Sequence, residues 1–302
     1  MVNFDLSSLL VATLISLIIY AFIAKRQKSP VIVDLIYYPV KSCAGIHLAK
    51  AEINDYGIKD DRLWAILESN EVIDQISDPR LIKLQPSFRY TEQGQKSHLI
   101  LSYPSFPDFI LEISSKNTET KIFTLEGSTG KYSDEGDQVS SYLKSIFNKE
   151  YRLCKLAQPR DLNEKFDLTA SKLSFNFVGQ VLITNQESLE RLRELVPNYV
   201  KNEVKMPSFR PNIIIKHAKP FSEDIWNSFT LGSIPFKFLQ KCERCRSITI
   251  NHDTLAYEPN VEPLNTLRKH HGNGTKAYFG IYAAFLKPGS IRINDPVNLI
   301  SS

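Results

Sequence analysis

A chain of 302 residues, 42% hydrophobic and 23% charged, carries the apolar mass of one or two globular domains. Its formal net charge of +4, from 37 basic and 33 acidic residues, lacks the basic excess of a nucleic-acid binder, yet leaves room for a local basic pocket. Four cysteines, Cys43, Cys154, Cys242 and Cys245, are too sparse for a disulfide framework.

The N-terminus reads as a transmembrane anchor. No charge interrupts Leu6 to Ala24, and about 19 helical residues span about 30 Å, the thickness of a bilayer core. Lys25, Arg26 and Lys28 follow at once, which keeps this side of the membrane, and the chain beyond it, cytosolic. A cleaved signal peptide is the competing reading. It carries its cations before a shorter apolar run, whereas Asp5 precedes this one. The anchor and its basic flank take residues 1–28, and a polar linker ends in Pro30.

Beyond Pro30 the pattern is mainly strand. Val31–Tyr38 is β-branched and aromatic until Pro39 breaks it, and Leu63–Glu68 and Leu99–Tyr103 are similar. Residues 91–135, rich in Gly, Ser, Thr, Lys and Glu, suit short strands with exposed loops. Val139, Tyr142, Leu143, Ile146 and Phe147 recur at helical spacing and predict a helix over 134–148. Residues 155–175 read as a polar loop. Thr184 and Glu187 form a capping-box pattern ahead of a second helix that turns Leu189, Leu192, Leu195 and Val196 to the core. Short strands are then expected at Asn212–Lys216, Phe229–Leu231, Pro235–Leu239, Arg246–Asn251 and Tyr278–Phe285. Ser290–Ile293 and Val297–Ile300 close the chain around Asn294-Asp295-Pro296, read as a hairpin turn. Many short strands and few helices predict a mainly β chain with some α, built of β-barrel-type domains.

Several common site motifs are absent from the sequence: a Gly-rich dinucleotide fingerprint, a phosphate-binding P-loop, a Gly-x-Ser-x-Gly elbow and a His-Glu-x-x-His pair. What remains is Lys241-Cys242-Glu243-Arg244-Cys245-Arg246 and a set of cations at strand ends. The Cys-x-x-Cys admits a structural zinc site, a redox pair, a single thiolate bound to a soft metal, or simple packing. Zinc needs further ligands, for which His270 and His271 are the candidates. A redox pair normally opens a helix after a strand, whereas a strand is expected after this one. Arg244 and Arg246 favour a thiolate. Lys41, Arg62, Arg210 and Arg244 each adjoin a strand end. Singly, each also suits a solvated surface; converging, they would hold a compact polyanion through charge-assisted hydrogen bonds.

Taken together, Tyr38-Pro39-Val40-Lys41-Ser42-Cys43, Asp61-Arg62-Leu63-Trp64, Asp78-Pro79-Arg80-Leu81, Phe209-Arg210-Pro211-Asn212-Ile213, Phe221–Trp226, Cys242-Glu243-Arg244-Cys245 and Asp295-Pro296-Val297 resemble the MOSC family in order and spacing. Within it they most resemble the mitochondrial amidoxime-reducing components. The resemblance implies a MOSC-type N-terminal β-barrel domain over 29–155 and a MOSC β-barrel domain over 156–302. It implies a molybdenum-molybdopterin cofactor, with Cys245 as metal ligand and catalytic residue. Lys41, Ser42, Arg62, Arg210, Asn212, Arg244 and Tyr282 would then bind the phosphate and pterin, and Cys242 would be a spectator. The implied activity is reduction of amidoximes and hydroxylamines, with electrons from NADH through cytochrome b5 reductase and cytochrome b5, at the mitochondrial outer membrane. Two departures from the family pattern stand out. Phe175-Asn176-Phe177-Val178-Gly179-Gln180 lacks the hydroxyls usual there, and Glu243 replaces a small residue. They motivate an alternative, a membrane-anchored scaffold of the same fold that has lost the cofactor.

Overall fold

The computed structural model describes residues 29–113, 119–162 and 172–300. The anchor expected over Leu6–Ala24 lies outside them, and among the described residues no helix is long and apolar enough to cross a membrane.

The largest sheet has eight strands. Their order is Ile46–Leu48, Val31–Tyr37, Ile213–Lys216, Val181–Asn185, Ala277–Phe285, Ile234–Arg244, Ser228–Leu231 and Val297–Leu299. All neighbours are antiparallel except Val181–Asn185 beside Ile213–Lys216. The sheet curls back on itself: Ile32 N donates to Asp295 O at 3.0 Å and Val31 bridges Pro296. Curling relieves the first strand of a bare edge there.

The strands are apolar on both faces because both faces are covered. Ile32, Leu35, Ile213, Ile215, Ile281 and Phe236 fill one core. Ile36, Ile214 and Phe279 point the other way, into a second core with Leu189, Leu192 and Leu267 of the helices Gln186–Leu195 and Leu264–His270. Burial of each such side chain contributes about 1.5–3 kcal/mol. At Gly280 (φ 73°) a side chain would meet Ile183 O at 2.5 Å, so only glycine fits where these strands close up.

The second body of the chain is a five-stranded sheet, in the order Thr120–Leu125, Ser128–Asp134, Arg152–Gln158, Trp64–Glu68 and Glu71–Val72. A meander of Gln85–Tyr90, Lys96–Ser102 and Phe109–Glu112 lies beside it, as does the helix Asp137–Phe147. Trp64, Leu99, Leu101, Val139, Leu143 and Phe147 form their shared core. The expected helix over 134–148 is thus present. The mainly β character with a few helices matches the expectation.

Three local expectations are corrected. The cap of Gln186–Leu195 is Asn185, whose side chain accepts from Glu187 N at 3.1 Å. Thr184 stays in the preceding strand with its hydroxyl on Met206 Sδ at 3.2 Å. Arg246–Asn251 is not a strand, because Arg246–Thr249 forms a 3-10 turn tied by Thr249 Oγ1 to Arg246 O. Its β-branched Ile248 and Ile250 are buried from that turn, so packing overrides strand propensity. Asn294-Asp295-Pro296 is a corner between sheets and not a hairpin. Gly289–Arg292 pairs with Lys50–Asn54, while Val297–Leu299 pairs with Ser228–Leu231.

Candidate functional site

The strand ends named from the sequence meet in one cavity of about 190 Å3. Lys41, Ser42, Arg62, Arg210, Asn212, Arg244, Cys245 and Tyr282 all line it, so every candidate residue is brought together. The chain delivers three of them in a left-handed conformation: Ser42 (φ 69°), Arg62 (φ 50°) and Arg210 (φ 54°). Non-glycine residues there cost of order 1 kcal/mol or more and collect at functional sites.

Arg62 and Arg210 share one aromatic support, with their guanidinium carbons 4.4 and 4.2 Å from the Tyr38 ring centre. Arg62 is also held by the buried carboxylate of Asp61 and by Asn212 Oδ1 at 2.9 Å. Asn212 is itself fixed, accepting from Leu182 N at 3.1 Å and donating to Ile36 O at 3.1 Å. Its amide therefore positions Arg62, with both ends of the group occupied by the protein. Arg210 donates Nη1 to Cys43 O at 2.8 Å, but its buried Nη2 has no partner among the described residues. An unmatched buried donor on a cation is costly unless a ligand accepts from it.

Lys41 donates to Phe175 O at 3.2 Å. Burial, then the guanidinia of Arg62, Arg160 and Arg210, pull its ammonium down from 10.5 to about 7. Arg244 is turned inward, donating to Phe279 O through Nε and Nη2 and to Phe209 O through Nη1. It braces the cavity wall with all three bonds.

Cys245 stands just past the end of Ile234–Arg244 and is the one exposed cysteine of four. Its Sγ lies 3.1 Å from Ser247 Oγ. Cys242 is buried within the strand, where burial pushes its thiol up, and it shares a hydrogen bond with Tyr282. No disulfide joins the two cysteines. His271 pairs with Asp224 at 2.9 Å and stacks on Phe221. Among the described residues no group of three or more His, Cys, Asp or Glu gathers around a metal position. The zinc reading of the Cys-x-x-Cys therefore has no ligand set there.

The two sequence departures resolve differently. Glu243 lines the cavity but pairs with Lys276 at 2.8 Å. Phe175 is not in the cavity, being buried 4.5 Å from the Phe123 ring. Phe177 is 46% exposed and does line it. In place of hydroxyls, the segment presents the Phe175 carbonyl to Lys41 and the Asn176 amide, which donates to Asp61 Oδ2 at 3.2 Å.

Sequence reasoning missed Arg160. It is fully buried and donates to Ser174 O, Leu125 O and Asn176 O, pinning the segment against the second sheet. No periodicity marks it within Gln158-Pro159-Arg160-Asp161.

The MOSC domain model matches residues 170–298 and the MOSC N-terminal beta barrel domain model matches residues 29–150. Mitochondrial amidoxime-reducing component 1 of Mus musculus is 27% identical over 296 residues, covering 91% of this chain and 84% of that protein. Its Homo sapiens counterpart is 26% identical over 294 residues, with coverage of 91% and 84%. Molybdenum cofactor sulfurase of Homo sapiens is 28% identical over 284 residues, covering 88% of this chain but 31% of that protein.

Proposed function

The chain belongs to the MOSC family, and from that premise we propose that it binds a molybdenum cofactor in the cationic cavity and reduces N-hydroxylated compounds. One relative, the sulfurase, is named for the molybdenum cofactor, and the amidoxime-reducing components are matched over most of their length. The observation that carries the reading is the joint placement of Arg62, Arg210, Lys41 and the exposed Cys245 around one cavity, with Arg210 Nη2 buried and unpartnered among the described residues.

The donor set suits a phosphate-bearing group attached to a soft metal. Arg62, Arg210 and Lys41 would take the phosphate, and Ser42 and Tyr282 would flank the organic ring. Asn212 and Arg244 hold the clamp in shape through the bonds given above. Cys245 would give the metal one thiolate, and the remaining ligands would arrive with the cofactor. When bound, the cofactor supplies two-electron chemistry, by which an N-hydroxyl substrate, two electrons and two protons yield the N–H product and water. Cys242, buried and protonated, takes no part.

The electrons would come from NADH through cytochrome b5 reductase and cytochrome b5, because the chain carries no nicotinamide or haem motif of its own. The apolar run Leu6–Ala24 would hold the chain on a membrane, by resemblance the mitochondrial outer membrane, with the rest cytosolic and those donors concentrated on the same surface. The cofactor-free scaffold is disfavoured, since Glu243 meets Lys276 and all four cations remain in place.

Molybdenum content by elemental mass spectrometry tests this on the full-length chain from a cofactor-producing host. About one molybdenum per chain in the parent and none in Cys245→Ser is expected. Folded parent without molybdenum would overturn the proposal.

A further inference from the structure

A second cavity, of about 470 Å3, lies on the other side of the turn that presents Cys245. Ser247 of that turn lines the first cavity, while Ile248 and Thr249 line the second. Its volume is within the usual range for small-molecule sites, about 300–1,000 Å3. Val200, Val204, Ile248, Ile250 and Pro263 give it a buried apolar floor. Tyr199 and Tyr257 add aromatic surface at its walls. Tyr257 is fixed by Arg246 stacking 4.4 Å from its ring centre and by its hydroxyl donating to Ile76 O at 2.9 Å.

The charge of this lining is one-sided. It contains Glu203, Glu258 and Glu262 and no Lys, Arg or His. Each carboxylate accepts from neutral donors: Glu203 from Asn251 Nδ2, Glu258 from Glu262 N and Asn260 Nδ2, Glu262 from Thr266 N. None of the three forms an ion pair among the described residues. Three carboxylates without an ion pair around an apolar, aromatic-walled hollow select a ligand with an apolar body and a cationic head. An anion would be repelled, and a neutral apolar molecule would leave the carboxylates to water alone.

We propose that this cavity is a second binding site, separate from the cationic one, for small apolar organic cations of the amidinium or amine class. The aromatic walls suit such a head group as well as the carboxylates do. The assignment stands on this cavity alone and holds whether or not the first cavity binds molybdenum. Amidinium products of the reaction proposed above belong to the same class.

The test is calorimetric titration of the full-length, cofactor-free chain with benzamidine, and with benzamide as its neutral isostere. Benzamidine is expected to bind with one site per chain, at least tenfold tighter than benzamide. In Glu203→Gln/Glu258→Gln the glutamine at 203 keeps an oxygen for Asn251 Nδ2, and the one at 258 keeps an oxygen for Glu262 N while giving up only the exposed Asn260 Nδ2, so the fold persists. The loss of two charge-assisted contacts should weaken benzamidine at least tenfold. Arg210→Gln, in the other cavity, should leave benzamidine affinity unchanged. Equal affinity for the two probes, undiminished affinity in the glutamine variant, or no binding at millimolar benzamidine would each overturn the site.

Discussion

Arg210 rests on Tyr38, its guanidinium carbon 4.2 Å from the ring centre, and the same ring carries Arg62 at 4.4 Å. Two like charges thus share one π surface beside a cavity, where a dianion would neutralise both. The tyrosine hydroxyl donates to Pro211 O at 3.1 Å, which fixes the ring relative to the strand that follows.

Tyr38→Phe keeps the ring and loses one hydrogen bond, so it should cost about 1 kcal/mol of stability and little anion affinity. Tyr38→Leu removes the support for both guanidinia. Pyrophosphate affinity should then fall about tenfold, given about 1–2 kcal/mol for cation–π contacts of this kind. Titration calorimetry and urea unfolding on the two variants separate the ring from the hydroxyl. Equal pyrophosphate binding in both would show that the stack does not organise the clamp.

Asn212 makes a different prediction, because its side-chain bonds run to the protein's own groups. Asn212→Leu strands Leu182 N and Ile36 O in the core and frees Arg62. A loss of about 2–5 kcal/mol is expected from two unmatched buried groups, read as a lower urea midpoint. Asn212→Asp keeps an acceptor for Arg62 and Leu182 but loses the donor, and should retain more of the anion affinity than the leucine variant.

Lys41 sets a pH dependence. Its ammonium is pulled from 10.5 to about 7 in the folded chain, by burial first and then by Arg62, Arg160 and Arg210. Below pH 7 both states carry the proton and the folded chain bears the full penalty. From about 7 to 10.5 the unfolded chain binds more protons, so this group's contribution to stability rises with pH across that window. Anion binding runs the opposite way, since phosphate prefers the charged amine. Pyrophosphate affinity should fall about tenfold between pH 7 and 8.5 beyond what the ligand's own titration produces. Lys41→Met reports that ligand-only baseline. Parallel pH profiles for parent and variant would remove Lys41 from the clamp.

The strand ends were legible because Pro39, Pro211 and the boundaries of apolar runs mark them, and a β scaffold puts its sites there. The cations at positions 41, 62, 210 and 244 could therefore be grouped before any coordinates. What braces them was not legible. Asp61 reaches Asn176 across 115 residues, and Arg160 reaches the same segment from a short polar strand; these contacts have no one-dimensional period. Local pattern also misled where two solutions have similar energy. Thr184 and Asn185 are both competent caps, and the choice falls to Asn185, whose amide also donates to buried Glu223 at 3.1 Å. Arg246–Asn251 has strand-like residues, yet Ile248 reaches the core from a turn. Nor were the bonds legible by which Arg244, at the cavity wall, braces two backbone carbonyls.

The four cysteines give the sharpest chemical contrast. Burial pushes Cys43 and Cys154 up to about 12, and it raises Cys242 as well, so none offers a thiolate near neutral pH. Cys245 alone is exposed, 3.1 Å from a serine hydroxyl at the cavity lip. Iodoacetamide at pH 7.5 should therefore add one carbamidomethyl group to the native, cofactor-free chain and none to Cys245→Ser, as read by intact mass. The denatured parent should take four, matching its cysteine count. If Cys245 ligates the metal, its lone pair is engaged and the loaded chain should resist the reagent until molybdenum is stripped. Equal labelling rates in loaded and stripped protein would place the metal elsewhere, and Cys245 would then be an exposed thiol with no ligand role.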